Sequence, residues 1–324
     1  MRAVWKEIAM TVALDPQMKA FLDAANADGP MFLRSETAEQ ARDKMMALLQ
    51  ASPGVPPEVY SDEDRTIPGP HGLIPIRIYT PAEARTPMGI LMYFHGGGWV
   101  LGNLETHDIV CRNLANGAGG VVVAVDYRLA PEHKFPAAPE DCYAATKWAA
   151  ANAAALGGNA NAVAVGGDSA GGNLATVVAL MARDRGGPRL CLQVLFYPAI
   201  SAANDTPSQR EFAADGFVLS RADMEWFWNH YLDSPADAKN PLACPNMAAN
   251  LAGLPPAIVL TASHDPLRDE GEAYAAQMRK AGVQVTATRY DGVTHGFISF
   301  ADLLDKGKQG LAQASAALRA AFAR

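Results

Sequence analysis

The chain has 324 residues, 49% of them hydrophobic and 19% charged, which is ordinary globular composition and argues against disorder. That length suits one large domain with a decoration, or two domains. The formal charge of −7 comes with no basic block, so nucleic acid and anionic membrane are poor partners.

Cys111, Cys142, Cys191 and Cys244 stand singly, with no C-x-x-C pair, which predicts reduced structural thiols in a cytoplasmic setting and no zinc site. At the N-terminus Arg2 and Lys6 precede the apolar run "IAMTVAL" (8–14). Asp15, Pro16, Lys19 and Asp23 follow at once, so the segment reads as the start of an amphipathic helical region and not as a signal peptide. No apolar stretch reaches membrane-spanning length, and no integral membrane association is expected.

The first fifty residues carry helical spacing. "DPQMKAFLDAAN" places Met18, Phe21, Leu22 and Ala25 on one face, and "SETAEQARDKMMALLQ" opens with Thr37 and Gln40 at capping-box spacing. "DRTIPGPHGLIPIRIYT" then alternates around Gly and Pro, which predicts two antiparallel strands. β-rich runs follow at 89–94, 121–127, 162–167, 190–197, 257–263 and 283–290, with helical patterns at 137–155, 170–184, 268–281 and 301–323. Near-continuous apolar strands with helical crossovers imply a parallel sheet covered on both faces. The alternation breaks between 201 and 250, where "ADMEWFWNHYL" predicts an aromatic-rich helix with Met224, Phe227, Trp228 and Tyr231 on one face. The expected organisation is a core of residues 51–204 and 236–324, with 1–50 and the 205–235 insertion forming a cap.

"AVAVGGDSAGGNLATVVALMA" carries G-x-S-x-G between an apolar strand and a helix, the setting of a nucleophile elbow with Ser169 at its tip. The alternative is a Gly-rich turn with Ser169 as a helix N-cap. A serine hydroxyl needs a base. Of seven histidines, His295 follows the last predicted strand, at the sheet edge from which Ser169 can be reached. His71, His107 and His133 read as surface residues, and His230 as a cap residue. The orienting acid is sought in "AIVLTASHDPLRDEG". Asp265 lies nearer the strand end than Asp269 and is preferred, although either could serve the following helix as a cap or first-turn charge.

"YFHGGGWVLG" (93–102) places bare backbone at the end of a strand, where N–H groups can approach a developing oxyanion. Gly97 and Gly98 are the expected donors, with the N–H of Ala170. His95 reads as a structural hydrogen-bonding residue. The spacing fits neither G-x-x-x-x-G-K nor G-x-G-x-x-G, which excludes the common phosphate loops. Trp99, Asp168, Phe227 and Trp228 are candidates for substrate contact.

"HGGGWVLGN", "DYRLAPEHKFPAAPED", "GDSAGGNLA", "DPLRDEG" and "HGF", in that order, resemble the hormone-sensitive-lipase-like esterases, family IV of the bacterial lipolytic enzymes. The resemblance implies an α/β-hydrolase fold with a mostly parallel sheet and a helical cap, no metal and no cofactor. It also implies a small ester substrate of short-to-medium acyl length and, through the last strand, a possible homodimer. Carried onto this sequence, it makes Ser169, Asp265 and His295 the triad and Gly97, Gly98 and Ala170 the oxyanion hole, and it leaves His264 at the surface. Some plant hormone receptors resemble this family without the catalytic histidine. His295 argues against that alternative, and lipase and amide hydrolase remain as others within the family.

Overall fold

The computed structural model describes residues 12–31, 33–51, 54–84 and 86–324. The helical region expected to begin in "IAMTVAL" lies mostly outside the described residues. Among the described residues the sheet has eight strands: β1 (Ser61–Gly69), β2 (Gly72–Thr80), β3 (Met88–Phe94), β4 (Val121–Val125), β5 (Gly158–Asp168), β6 (Leu190–Phe196), β7 (Ala257–His264) and β8 (Val285–Thr294). Their order is β1-β2-β4-β3-β5-β6-β7-β8. The β1–β2 hairpin turns between Gly69 and Gly72 and joins β4 antiparallel, and every later pairing is parallel. β3, β4 and β7 are buried along their whole length, which is why they read as unbroken apolar runs and not as alternation.

The helices are α1 (Pro16–Ala25), α2 (Ala38–Ala51), α3 (Asp108–Ala118), α4 (Ala137–Ala151), α5 (Ala170–Asp184), α6 (Pro207–Glu211), α7 (Arg221–Tyr231), α8 (Arg268–Lys280) and α9 (Asp305–Phe322). α3 packs on α9 over one face of the sheet, and α4 on α5 over the other. The predicted boundaries hold closely for α5 and α8. α3 was not anticipated, and it ends at Gly119 in a left-handed C-cap. The last strand runs four residues further than expected, through Asp291-Gly292. That pair reads as a turn, yet it is absorbed at a register shift opposite Ala262–His264. α9 begins at Asp305, after a 3-10 turn at Phe297–Phe300.

Strand register brings the functional strand ends together. Phe94 pairs with Gly167, Asp168 with Phe196, and His264 with Thr294. The residues that continue from β3, β5, β7 and β8 therefore leave the sheet at one edge.

Over that edge the N-terminal segment and the 205–235 insertion hold each other. Buried Asp223 is the acid of a reciprocal capping box with Ser220 at the start of α7. Its other oxygen accepts from the Leu33 and Arg34 N–H groups at 3.1 and 3.0 Å and from the Arg34 guanidinium at 3.2 Å. Arg34 also makes a two-pronged bond to Asp215. Gly216 exchanges backbone bonds with this segment, donating to Met31 O and accepting from the Asn26 amide. α2 is tied to the core side, where Arg42 donates to Val100 O and Ala130 O. Thr37 and Gln40 form the predicted reciprocal bonds at its start.

One carboxylate thus satisfies donors from two segments. Asp223→Ala leaves the Leu33, Arg34 and Ser220 N–H groups without it, which predicts a loss of about 3 kcal/mol of unfolding free energy in urea titration.

Candidate active site

The elbow follows from a steric limit. β5 runs into Ser169, whose φ of 56° and ψ of −118° lie where L-residues are seldom found. A Cβ on Gly167 or Gly171 would overlap the Phe94 carbonyl oxygen, so the turn and the first turn of α5 can press against β3 only as glycine. Ser169 occupies the N-cap position of α5, yet its side chain makes no cap bond. Its Oγ instead lies 2.9 Å from His295 Nε2.

His295 follows β8 by one residue and is buried. Its Nδ1 lies 2.8 Å from Asp265 Oδ2, and the Tyr197 ring sits 4.6 Å from its own, centroid to centroid. Asp265, fully buried one residue past β7, uses its other oxygen to accept from Leu267 N at 2.8 Å. Orienting a histidine and shaping the turn before α8 thus fall to separate oxygens. Asp269 is turned elsewhere, to Arg268 and to the Ser208 N–H. The structure therefore joins Ser169, His295 and Asp265 in one hydrogen-bonded chain that excludes Asp269.

The loop after β3 lies against the elbow, where Gly96 N donates to Asp168 Oδ1. Gly97 and Gly98 have φ of 111° and 61°, a conformation that a Cβ disfavours. Among the described residues, the N–H groups of Gly97, Gly98 and Ala170 donate to no protein acceptor, whereas the Gly96 N–H is taken up. The Phe227 ring of α7 occupies the space where a Gly98 side chain would stand.

Under the loop lies a polar support. Asp168 Oδ1 accepts from Gly96 N at 3.0 Å and from Tyr93 Oη at 2.7 Å, and His107 Nε2 lies 3.3 Å from the same carboxylate. Burial alone would raise the Asp168 carboxyl, but His107 and the Tyr93 hydroxyl outweigh it and hold it below its ordinary range. His95 Nδ1 donates to Gly96 O at 2.8 Å, and its ring stacks on Tyr127 at 4.3 Å. Burial lowers its pKa to about 3, which keeps the ring neutral.

The surface expectations for His107 and His264 are corrected here, and the candidates for substrate contact lie as follows. The Asp168 carboxylate is spent beneath the glycine loop. Trp99 is fully buried, stacked on Tyr231 at 4.3 Å and against Trp228 at 4.4 Å, so it packs the cap onto the loop. Phe227 is buried over Gly98, and Trp228 borders an open groove of about 600 Å³ shared with Lys134, Asn204, Arg221 and Glu225, none of them in the triad. His107 and His264 are buried, not superficial; His264 packs between the rings of Phe212 and Phe217. His107 went unrecognised because one histidine before an unassigned helix carries no periodic signal. Among the described residues no group of three or more His, Cys, Asp and Glu side chains is placed to hold a metal ion.

Comparison with known proteins agrees with this fold. A family described as having the alpha/beta hydrolase fold matches residues 91–299. A carboxylic ester hydrolase of Mycobacterium tuberculosis, LipN, is 42% identical over 96% of this chain and 84% of its own length. An ethyl acetate hydrolase of Pseudomonas putida is 37% identical over 95% of this chain and 99% of its own. The crystallised esterase of the archaeon Pyrobaculum calidifontis superposes with a TM-score of 0.89 at 44% identity, covering 95% of this chain and 98% of that one. The chain therefore belongs to the α/β-hydrolase family, among the hormone-sensitive-lipase-like carboxylesterases of family IV.

Proposed function

We propose that the chain hydrolyses carboxylic esters of short-to-medium acyl length through an acyl-enzyme on Ser169. The observation that carries this is the continuous contact Ser169 Oγ–His295 Nε2 and His295 Nδ1–Asp265, with the serine released from capping duty. His295 takes the Ser169 proton as Oγ attacks the ester carbonyl, and Asp265 holds the imidazole in the tautomer that can accept it. Charge developing on the carbonyl oxygen meets the free N–H groups of Gly97, Gly98 and Ala170. The proton returns to the leaving alcohol, and water repeats the sequence on the acyl-enzyme. His295 in place disfavours a receptor role, since a receptor has no use for an aligned base. Residues 12–51 and 205–235 act as the cap, a reading supported by the Asp223 and Arg34 bonds between them. Four unpaired cysteines suit a cytoplasmic setting, and the outer edge of β8 suits a homodimer, which light scattering reads directly.

Ser169→Ala is expected to fold and to lose on the order of 10⁶ in kcat. Labelling of Ser169 by a fluorophosphonate, read by mass spectrometry, is expected in the wild type and absent from the variant.

Asp265→Asn is expected to cost roughly 10⁴ in kcat by misorienting His295. Asp269→Asn acts through its bonds to Ser208 and Arg268 and should chiefly lower the melting temperature. Steady-state kinetics beside thermal unfolding separates the two.

Phe227, seated on Gly98, limits the room above the oxyanion loop. Phe227→Ala is expected to shift preference toward longer p-nitrophenyl esters, each added methylene contributing roughly 0.8 kcal/mol of burial. Trp228→Ala, on the groove side, should lower stability and leave the chain-length profile unmoved.

A further inference from the structure

Glu270 is a buried acid with no part in the triad chemistry. It lies in the first turn of α8, five residues beyond Asp265, and is only 5% exposed. Its Oε1 accepts from the Ile200 and Ser201 N–H groups at 2.7 and 3.2 Å. Those residues continue the strand-end segment whose Ala199 N–H is bonded to Ser169 O. Its Oε2 faces the amide of Gln209 at 3.4 Å, on fully buried α6 residues of the insertion. Among the described residues no Lys, Arg or His pairs with Glu270. Gln209 Oε1 is buried and has no partner. The two ends of an amide are interchangeable in outline. Turned over, Gln209 presents Oε1 to Glu270 Oε2, and the partnerless amide oxygen gains a donor if Glu270 carries a proton.

We propose that Glu270 is a positioning residue held as the neutral acid, its carbonyl oxygen gripping residues 200–201 and its O–H donating to Gln209, so that it locks the start of the cap insertion to the loop that carries Asp265. This deepens the esterase reading and rests on it for its functional consequence. The same turn reinforces the lock: Ser208 donates its hydroxyl to Pro266 O and its N–H to Asp269, and Arg268 pairs with Glu211.

Burial raises the Glu270 carboxyl from 4.5 to about 8; its two backbone donors and the Gln209 amide oppose this, and the nearby Asp265 charge adds to it. The other titratable group facing it is the Cys244 thiol, raised by burial to about 11 and so neutral. Asp269 is turned to Arg268 and Ser208, and on α6 Glu211 is paired while Arg210 donates to Asp205 O. The folded state therefore holds a proton that the unfolded chain releases between these two values. Stability is full below the ordinary glutamate range and is lost as pH rises toward about 8.

The test compares wild type, Glu270→Gln and Glu270→Ala. Glutamine keeps the Oε1 acceptor and supplies an N–H in place of the O–H. In the wild type at neutral pH, infrared difference spectroscopy against Glu270→Gln should show the C=O band of a protonated carboxyl. The wild-type melting temperature should fall relative to Glu270→Gln between pH about 5 and about 8 and run parallel above that. Glu270→Ala should lose roughly tenfold or more in kcat, and Glu270→Gln should recover most of it. No protonated-acid band, or a glutamine variant as impaired as the alanine one, overturns the proposal. The infrared and unfolding readouts need no substrate, so they fail or succeed independently of whether the chain hydrolyses esters.

Discussion

The whole site depends on how closely the backbone after β5 can approach the end of β3. The Phe94 carbonyl oxygen leaves no room for a Cβ on either Gly167 or Gly171. Only that contact lets Ser169 stand at the tip of a strained turn while α5 begins immediately behind it. It also brings Ala170 N alongside the Gly97–Gly98 loop, since β3 and β5 are hydrogen-bonded neighbours ending in register. A larger residue at either glycine would push the turn that carries Ser169 away from the end of β3. Sheet register does the rest: Asp265 and His295 leave β7 and β8 one residue beyond the paired His264 and Thr294.

Around this edge the fold treats four of its buried carboxylates differently. Asp265 divides its oxygens between His295 and its own turn. Asp168 is surrounded by donors and kept ionised beneath the glycine loop. Asp223 draws its donors from two distant segments and joins them. Glu270 has backbone donors on one oxygen only and no cation, the arrangement in which desolvation wins. Burial alone therefore does not decide a carboxyl's state here. Asp168 and Glu270 each have three polar neighbours, and what separates them is that Asp168 lies beside His107 while Glu270 has no cation among the described residues.

Most of the parallel sheet was legible because its strands are buried on both faces and so spell continuous apolar runs between glycine and proline breaks. Ser169, His295 and Asp265 were legible because each sits where a strand stops, and chain order places those ends together. The choice of Asp265 over Asp269 was not decidable by type, since both suit a helix start; the backbone direction after β7 separates them. α3 was legible in principle, since Val110, Cys111, Leu114, Ala115 and Ala118 recur at helical spacing and make its buried face, but its beginning follows a glycine-rich loop with no capping signal. His107 and Asp168 escaped for a related reason. Their partnership joins residues 61 apart through tertiary packing, and neither carries a local pattern that announces it.

The cap insertion leaves the core beside the nucleophile and is pinned beside the triad acid. The residues that lead into it hang from Glu270, α6 binds the turn that follows Asp265, and α7 lays Phe227 on Gly98. Each contact reaches one functional part of the site: the strand end behind Ser169, the acid loop and the oxyanion loop. The insertion is thus a structural brace for the strand ends that carry Ser169, Asp265 and the glycine loop. For that reason changes in the cap cannot be assumed to act on substrate fit alone. A shift of α6 moves Pro266 before it alters the pocket, and through Pro266 it moves the carboxylate that orients His295.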